Sequence, residues 1–250
     1  MRLLTFAANW KMHIGPAEAR DFAEKFLAAT GPKLGRELWF FPPSVTVDAA
    51  AFAFAARGDI KVGAQDVHWE PKGAFTGAVS VPLAKAAGAA GALVGHSERR
   101  HVFGETDAET AKKVRALLAG GLAPMLCVGE KLEQREAGET DAVCARQLRA
   151  ALEGLTPDDL GRTLIAYEPV WAIGTGKNAT PKDAAAAHKA IRGVLASLGL
   201  KQRATVLYGG SVNAGNAVAL LAEEELDGVL VGGASLDAKG WASIVEVGDA

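Results

Sequence analysis

Eight short apolar runs recur along this chain, at residues 3–8, 38–41, 60–64, 90–94, 124–128, 163–167, 205–208 and 228–231, each followed by a helix-like stretch. The runs are nearly continuous in apolar character, the pattern of strands buried on both faces. Eight units in 250 residues give about 31 residues per unit. The expected fold is therefore α/β: a closed (β/α)8 barrel of eight parallel strands ringed by helices, with residues 1–250 forming one domain. An open doubly wound sheet should carry a glycine-rich fingerprint after its first strand. Asn9-Trp10-Lys11-Met12-His13 stands there instead. Helices are expected over about 16–29 and 45–56, with Gly15-Pro16 opening the first. Thr106 and Glu109 form a capping-box pattern, Thr180-Pro181 opens a long helix, and Gly199 closes it.

The formal charge of −2 and isoelectric point near 6.2, without a block of basic residues, argue against nucleic acid and anionic membrane as partners. No apolar run reaches membrane-spanning length, and the run at 3–8 is too short for a signal core. Cys127 and Cys144, the two cysteines, lack metal-like spacing and read as free thiols in a reducing compartment. Cytoplasmic residence and a small-molecule or protein partner are expected.

Functional groups of such barrels lie where strands end at the C-terminal face. Here those ends carry Asn9 and Lys11, then His96-Ser97-Glu98-Arg99-Arg100, then Glu168, then Gly209-Gly210-Ser211 and Gly232-Gly233-Ala234-Ser235. Glu168 follows a buried strand and precedes Pro169, which cannot extend the ladder. The segment Pro169-Val170-Trp171-Ala172-Ile173-Gly174-Thr175-Gly176-Lys177 reads as an apolar lid over a base, hinged at Pro169 and at residues 177–179. Paired glycines after the last two strands can turn backbone N–H groups toward a phosphate. His96 has no zincin-like spacing to another histidine and fits an electrophile or acid/base role. Lys11 fits a fixed ammonium at the barrel mouth, with Glu98 as partner. Each residue also has a plainer reading: a solvated rim carboxylate, a structural histidine, a surface lysine, two ordinary tight turns.

The motifs Asn9-Trp10-Lys11-Met12, Gly73-Ala74-Phe75-Thr76-Gly77, His96 through Arg100 with Phe103-Gly104-Glu105, Cys127-Val128-Gly129-Glu130, Tyr167 through Lys177, Tyr208 through Ser211 and Val231 through Ser235 occur in the order they have in triosephosphate isomerases. The chain resembles that family from end to end. The resemblance implies interconversion of dihydroxyacetone phosphate and glyceraldehyde 3-phosphate through an enediolate, without metal or organic cofactor. Glu168 would be the base, His96, Lys11 and Asn9 would stabilise the substrate oxygens, and Gly174, Ser211, Gly232 and Gly233 would hold the phosphate by backbone N–H. Ser97, Glu98 and Cys127 would support that site, Cys127 by packing beneath it, while Cys144 reads as a buried helix-face residue. Residues 65–79 resemble the loop through which family members dimerise, so a homodimer is expected, with Gln65, Thr76 and Arg99 at the contact. Exposed Trp69 and Phe75 would make that loop costly on a monomer; an Ω-like loop packed on its own body is the alternative. Ala78 departs from the glutamate usual in the family beside Arg99, and Asp66 and His68 replace an asparagine and an aromatic. Two competing functions are another phosphate-binding barrel enzyme, such as an epimerase or aldolase, and an inactive phosphate-binding scaffold.

Overall fold

A computed structural model describes residues 2–173 and 179–247. Strand β1 (Leu4–Asn9) leads to helix α1 (Pro16–Ala29), and β2 (Arg36–Phe41) to a 3₁₀ turn (Ser44–Thr46) and α2 (Val47–Phe54). A long loop separates β3 (Ile60–Ala64) from α3 (Val81–Ala86). Next come β4 (Gly91–Val94), α4 (Ser97–His101), α5 (Asp107–Ala119) and β5 (Ala123–Val128), then α6 (Leu132–Glu136), α7 (Thr140–Leu152) and α8 (Pro157–Gly161). The last units are β6 (Leu164–Tyr167), a 3₁₀ turn (Val170–Ala172) and α9 (Pro181–Ser197); β7 (Val206–Tyr208) and α10 (Ala214–Leu221); and β8 (Gly228–Val231), a 3₁₀ turn (Gly233–Ser235) and α11 (Ala238–Val245). All neighbouring strands run parallel, and β8 pairs with β1 to close the barrel. The fold is the (β/α)8, or TIM, barrel that the alternating pattern led us to expect.

The continuous apolar strands divide their side chains between two cores, as a period of two requires. Ala7, Trp39, Phe41, Leu93, Met125, Cys127, Ala166, Leu207 and Leu230 fill the barrel interior. Phe6, Ala8, Leu38 and Phe40, their neighbours along the strands, join the larger core shared with the helices, where Phe40 packs on Phe22, Phe26 and Phe54. Trp39 and Phe41 stack inside the barrel with ring centroids 5.6 Å apart. Glycines on the next two strands make room for them: a Cβ at Gly63 would collide with the Phe41 ring, and one at Gly91 would lie 3.0 Å from Trp39.

Local signals placed several helix ends. Gly15 caps α1, the Thr106 and Glu109 capping box opens α5, and Thr180-Pro181 opens α9. Gly199, at φ +105°, follows the last turn of α9 in the left-handed conformation that favours glycine. The helix expected over 45–56 is shorter, because its first turn is 3₁₀ and the Thr46 hydroxyl donates to the Ile14 carbonyl. The long loop also corrects an expectation. Trp69 is half-buried, stacked on His68 at 4.2 Å and lying 4.8 Å beneath the Lys112 ammonium, whereas Phe75 is exposed as expected, although it packs on His68 from 4.1 Å. The His68 amide donates to the Val79 carbonyl at 2.8 Å, closing the base of this self-packed aromatic cluster.

Candidate active site

Glu168 stands one residue beyond β6, and its amide donates to the Val128 carbonyl at 2.8 Å, so the strand ladder sets where its side chain begins. It is 3% exposed. One carboxylate oxygen lies 2.9 Å from His96 Nε2, and the other accepts the Ser97 amide at 2.8 Å. Glycines wall it in: a Cβ at Gly209 would stand 2.8 Å from Glu168 Cγ, and one at Gly129 would strike its carbonyl. The solvated-rim reading therefore fails for this residue.

His96 caps α4, and its Nδ1 accepts the Glu98 amide at 3.3 Å. A ring that accepts at Nδ1 carries its proton on Nε2, facing Glu168. Burial opposes charge on both partners. For Glu168, burial would raise the carboxyl, but the His96 charge and hydrogen bond, the Ser97 amide and Lys11 together hold it below the ordinary carboxylate value. For His96, burial would lower the ring, and the adjacent Glu168 charge outweighs it, raising the pKa. The rise rests mainly on the charge and hydrogen bond of Glu168, with the Glu98 charge adding to it, while burial and Lys11 oppose it.

Lys11 adopts φ +49°, a conformation rare for a residue with a side chain. The backbone is clamped there from both sides: Asn9 Oδ1 accepts the Lys11 amide at 3.0 Å, and Gln65 Nε2 donates to the Lys11 carbonyl at 2.7 Å. Its ammonium reaches Glu98 Oε1 at 2.6 Å. Asn9, Lys11, His96 and Glu168 line one cavity of about 370 Å³ together with Ser211, Gly232 and Gly233 from the ends of β7 and β8. Gly174 through Lys177 lie outside the described residues.

Ser97 touches Glu168 directly, Glu98 touches Lys11, and Cys127 is fully buried in the barrel interior. Burial and the neighbouring Glu168 charge push the Cys127 thiol well above its ordinary pKa, so it stays protonated and un-nucleophilic. Cys144 is buried on α7, and its thiol too is pushed up by burial. Among the expected contact residues, Arg99 lies 3.2 Å from Asp66 and 3.4 Å from Glu105 within its own chain, and Thr76 is exposed at the loop tip. Arg99 is therefore paired even though residue 78 is alanine.

Sequence reasoning gave Glu130 no role, yet it is fully buried beside the lid's root. Its carboxylate accepts the Trp171 indole N–H at 2.9 Å and the Tyr167 hydroxyl at 3.1 Å, and its carbonyl accepts the Val170 amide at 3.1 Å. Arg135 lies over the Trp171 ring at 4.6 Å. Pro169 and the 3₁₀ turn Val170–Ala172 are thus held against the barrel rim, with Ala172 buried and Ile173 lining the cavity. The polar residue that ends β5 was the available signal, the same one that picked out Asn9, His96 and Glu168.

This arrangement can take a proton from a carbon whose neighbouring oxygen is polarised by His96 or Lys11, and return it one carbon away. It defines a class: a barrel isomerase. The sequence profile of the triosephosphate isomerase family matches residues 4–248, and the chain belongs to that family. A triosephosphate isomerase of Solibacter usitatus (strain Ellin6076) is 48% identical over 249 residues, covering 98% of this chain and 99% of that protein. One from Roseiflexus castenholzii (strain DSM 13941 / HLO8) is 48% identical over 248 residues, covering 98% and 97%. One from Aquifex aeolicus (strain VF5) is 45% identical over 241 residues, covering 96% and 97%.

Proposed function

We infer that this chain is an enzyme carrying out the reaction its family is named for, the interconversion of dihydroxyacetone phosphate and D-glyceraldehyde 3-phosphate. The observation that carries the assignment of roles is the 2.9 Å contact between Glu168 and His96 Nε2 inside the cavity. A glutamate base beside a neutral imidazole is the family's own established pairing and is taken over from it. The Nε2 proton serves one acceptor at a time. Binding a substrate oxygen at His96 therefore frees Glu168, which stays buried while losing the contact that depressed its pKa. The carboxylate becomes more basic as substrate arrives.

Glu168 then removes the proton from the carbon beside the carbonyl, and that bond's electrons form the enediolate double bond. His96, Lys11 and Asn9 donate to the oxygens where negative charge develops. Protonated Glu168 returns the proton to the neighbouring carbon, while the hydroxyl proton on the first carbon's oxygen passes by way of His96 Nε2 to the former carbonyl oxygen, so the carbonyl re-forms one carbon along. Backbone N–H groups of Ser211, Gly232 and Gly233 hold the phosphate, with Gly174 supplied by the lid. Excluding water beneath the lid strengthens these interactions and protects the enediolate.

We further propose that two copies associate through the face around the 65–79 loop, each one barrel domain. Support comes from the exposed apolar side chains Met12, Val45, Val102 and Phe103, and from a cavity of about 510 Å³ bordered by Gln65, Gly77 and Arg99. The self-packed Trp69 no longer argues for it. Among the described residues no helix is long and apolar enough to cross a membrane. The two buried thiols fit a reducing cytoplasm.

The test is turnover of glyceraldehyde 3-phosphate, followed through a coupled dehydrogenase. Glu168→Gln is expected to lower kcat by about 10²–10⁴-fold with little change in KM. A folded variant with wild-type turnover would remove Glu168 from the mechanism. Sedimentation of the wild-type protein tests association, and a monomer at micromolar concentration would refute the dimer.

A further inference from the structure

Four charged side chains beneath the 65–79 loop form a ring in which each anion touches both cations. Asp66 lies 2.5 Å from Lys113 and 3.2 Å from Arg99. Glu105 lies 3.2 Å from Lys113 and 3.4 Å from Arg99. Lys113 and Glu105 are buried, whereas Asp66 is about one-third exposed at the wall of the 510 Å³ cavity. Two positive and two negative charges balance, which is what allows Lys113 to remain inside.

Glu105 has a further duty. Its other oxygen accepts the Gly95 amide at 3.1 Å. Gly95 lies at φ +66°, where a Cβ would stand 2.6 Å from Arg100, and its carbonyl accepts Arg100 Nε at 2.7 Å. Gly95 is therefore held at both its amide and its carbonyl, one on each flanking peptide, and the next residue is His96. A neutral side chain at 66 would leave two cations facing one carboxylate. Glu105 would turn both oxygens toward them and release the Gly95 amide.

We propose that Asp66 is a positioning residue for the isomerisation: by balancing Lys113 and Arg99 it lets Glu105 fix the Gly95 turn that aims His96 into the cavity. This rests on the role given to His96 above. Ala78 lines the same cavity as Asp66, Arg99 and Lys113, which makes a glutamate at 78 the second-site test of whether a carboxylate supplied from another position balances the ring.

The experiment compares kcat and KM of wild type, Asp66→Asn, Ala78→Glu and Asp66→Asn/Ala78→Glu, with His96→Gln alongside. Asp66→Asn is expected to lower kcat about ten- to a hundredfold with KM changed less than twofold, independently of protein concentration. Ala78→Glu alone should leave kcat unchanged, and in the Asp66→Asn background it should restore most of the loss. Wild-type kcat in Asp66→Asn, a rise in KM alone, a defect that vanishes at high protein concentration, or failure of the second-site carboxylate to rescue would each overturn the proposal. Should Asp66→Asn not fold, Asp66→Asn/Lys113→Gln restores neutrality with one ion pair. Near-wild-type kcat there supports charge balance, and a kcat still depressed at unchanged KM overturns it. Retained activity in His96→Gln would refute the electrophile role itself, whereas its loss alongside an unimpaired Asp66→Asn refutes only the ring.

Discussion

At the scale of single residues, Glu130 shows how one buried carboxylate supports a site it does not line. It receives donors from Trp171 and Tyr167, and burial pushes the Tyr167 hydroxyl far above its ordinary pKa, with the Glu130 charge adding to the rise. Truncation would leave the buried Tyr167 hydroxyl and the half-buried Trp171 indole N–H without that acceptor. Glu130→Ala is expected to cost about 1–3 kcal/mol in unfolding free energy. It should also lower kcat, because the turn after Pro169 loses its tether. Denaturant titration and steady-state kinetics check the two effects, and an undiminished kcat would mean that the tether is structural alone. Lys11 illustrates strain kept in place by neighbours: its left-handed backbone is held by Asn9 and Gln65, and its ammonium by Glu98. From the sequence Lys11 could equally have been a surface lysine, since the Gln65 clamp comes from a residue 54 positions away.

At the scale of elements, α9 carries the chain away from the lid, and its start depends on one local device. Thr180 Oγ1 accepts the Asp183 amide at 3.1 Å, Asp183 accepts the Thr180 amide at 3.2 Å, and Pro181 occupies the first turn. Thr180→Ala is expected to destabilise the protein by about 1 kcal/mol, read from the shift in denaturation midpoint at unchanged slope. Such devices were legible because they are written within four residues. So were the strands, whose bounds moved by at most two residues, as β2 did when it took in Arg36 and Glu37. The five-residue helices α4, α6 and α8 were not legible, because they are too short to express a helical period. Trp69 was misread for another reason. Its exposure depends on His68, a ring that the sequence places beside it without revealing that it stacks between Trp69 and Phe75. The cavity residues could be named because barrels put chemistry at strand ends, but the contact of Glu168 with His96 depends on three-dimensional closure.

At the scale of the molecule, α9 packs His188 against Tyr167 with complete burial. Nδ1 faces the Glu225 carbonyl at 3.1 Å, and Nε2 has no hydrogen-bond partner among the described residues. Burial drives its pKa down to about 3, with Arg192 opposing protonation further and the Glu225 carbonyl resisting the fall. The unfolded chain takes up this proton near pH 6.5, whereas the folded one does not. Between about pH 6.5 and pH 3, stability therefore falls as pH falls. His188 alone should cost about 2 kcal/mol between pH 8 and pH 5. Unfolding free energies of wild type and His188→Gln across that range check it, and parallel curves would refute the assignment.

The stacked pair Trp39 and Phe41 lies in space that Gly63 and Gly91 leave open on adjoining strands. None of these four positions can change size by itself. A methyl at 63 without a smaller side chain at 41 overfills the interior, and a smaller side chain alone leaves a void costing about 3–5 kcal/mol for loss of a phenylalanine. The layer is therefore a coupled unit: a larger residue at 63 calls for a smaller one at 41, whereas at Gly91 the Ala123 carbonyl stands closer to a Cβ than Trp39 does, so no change on β2 alone makes room there.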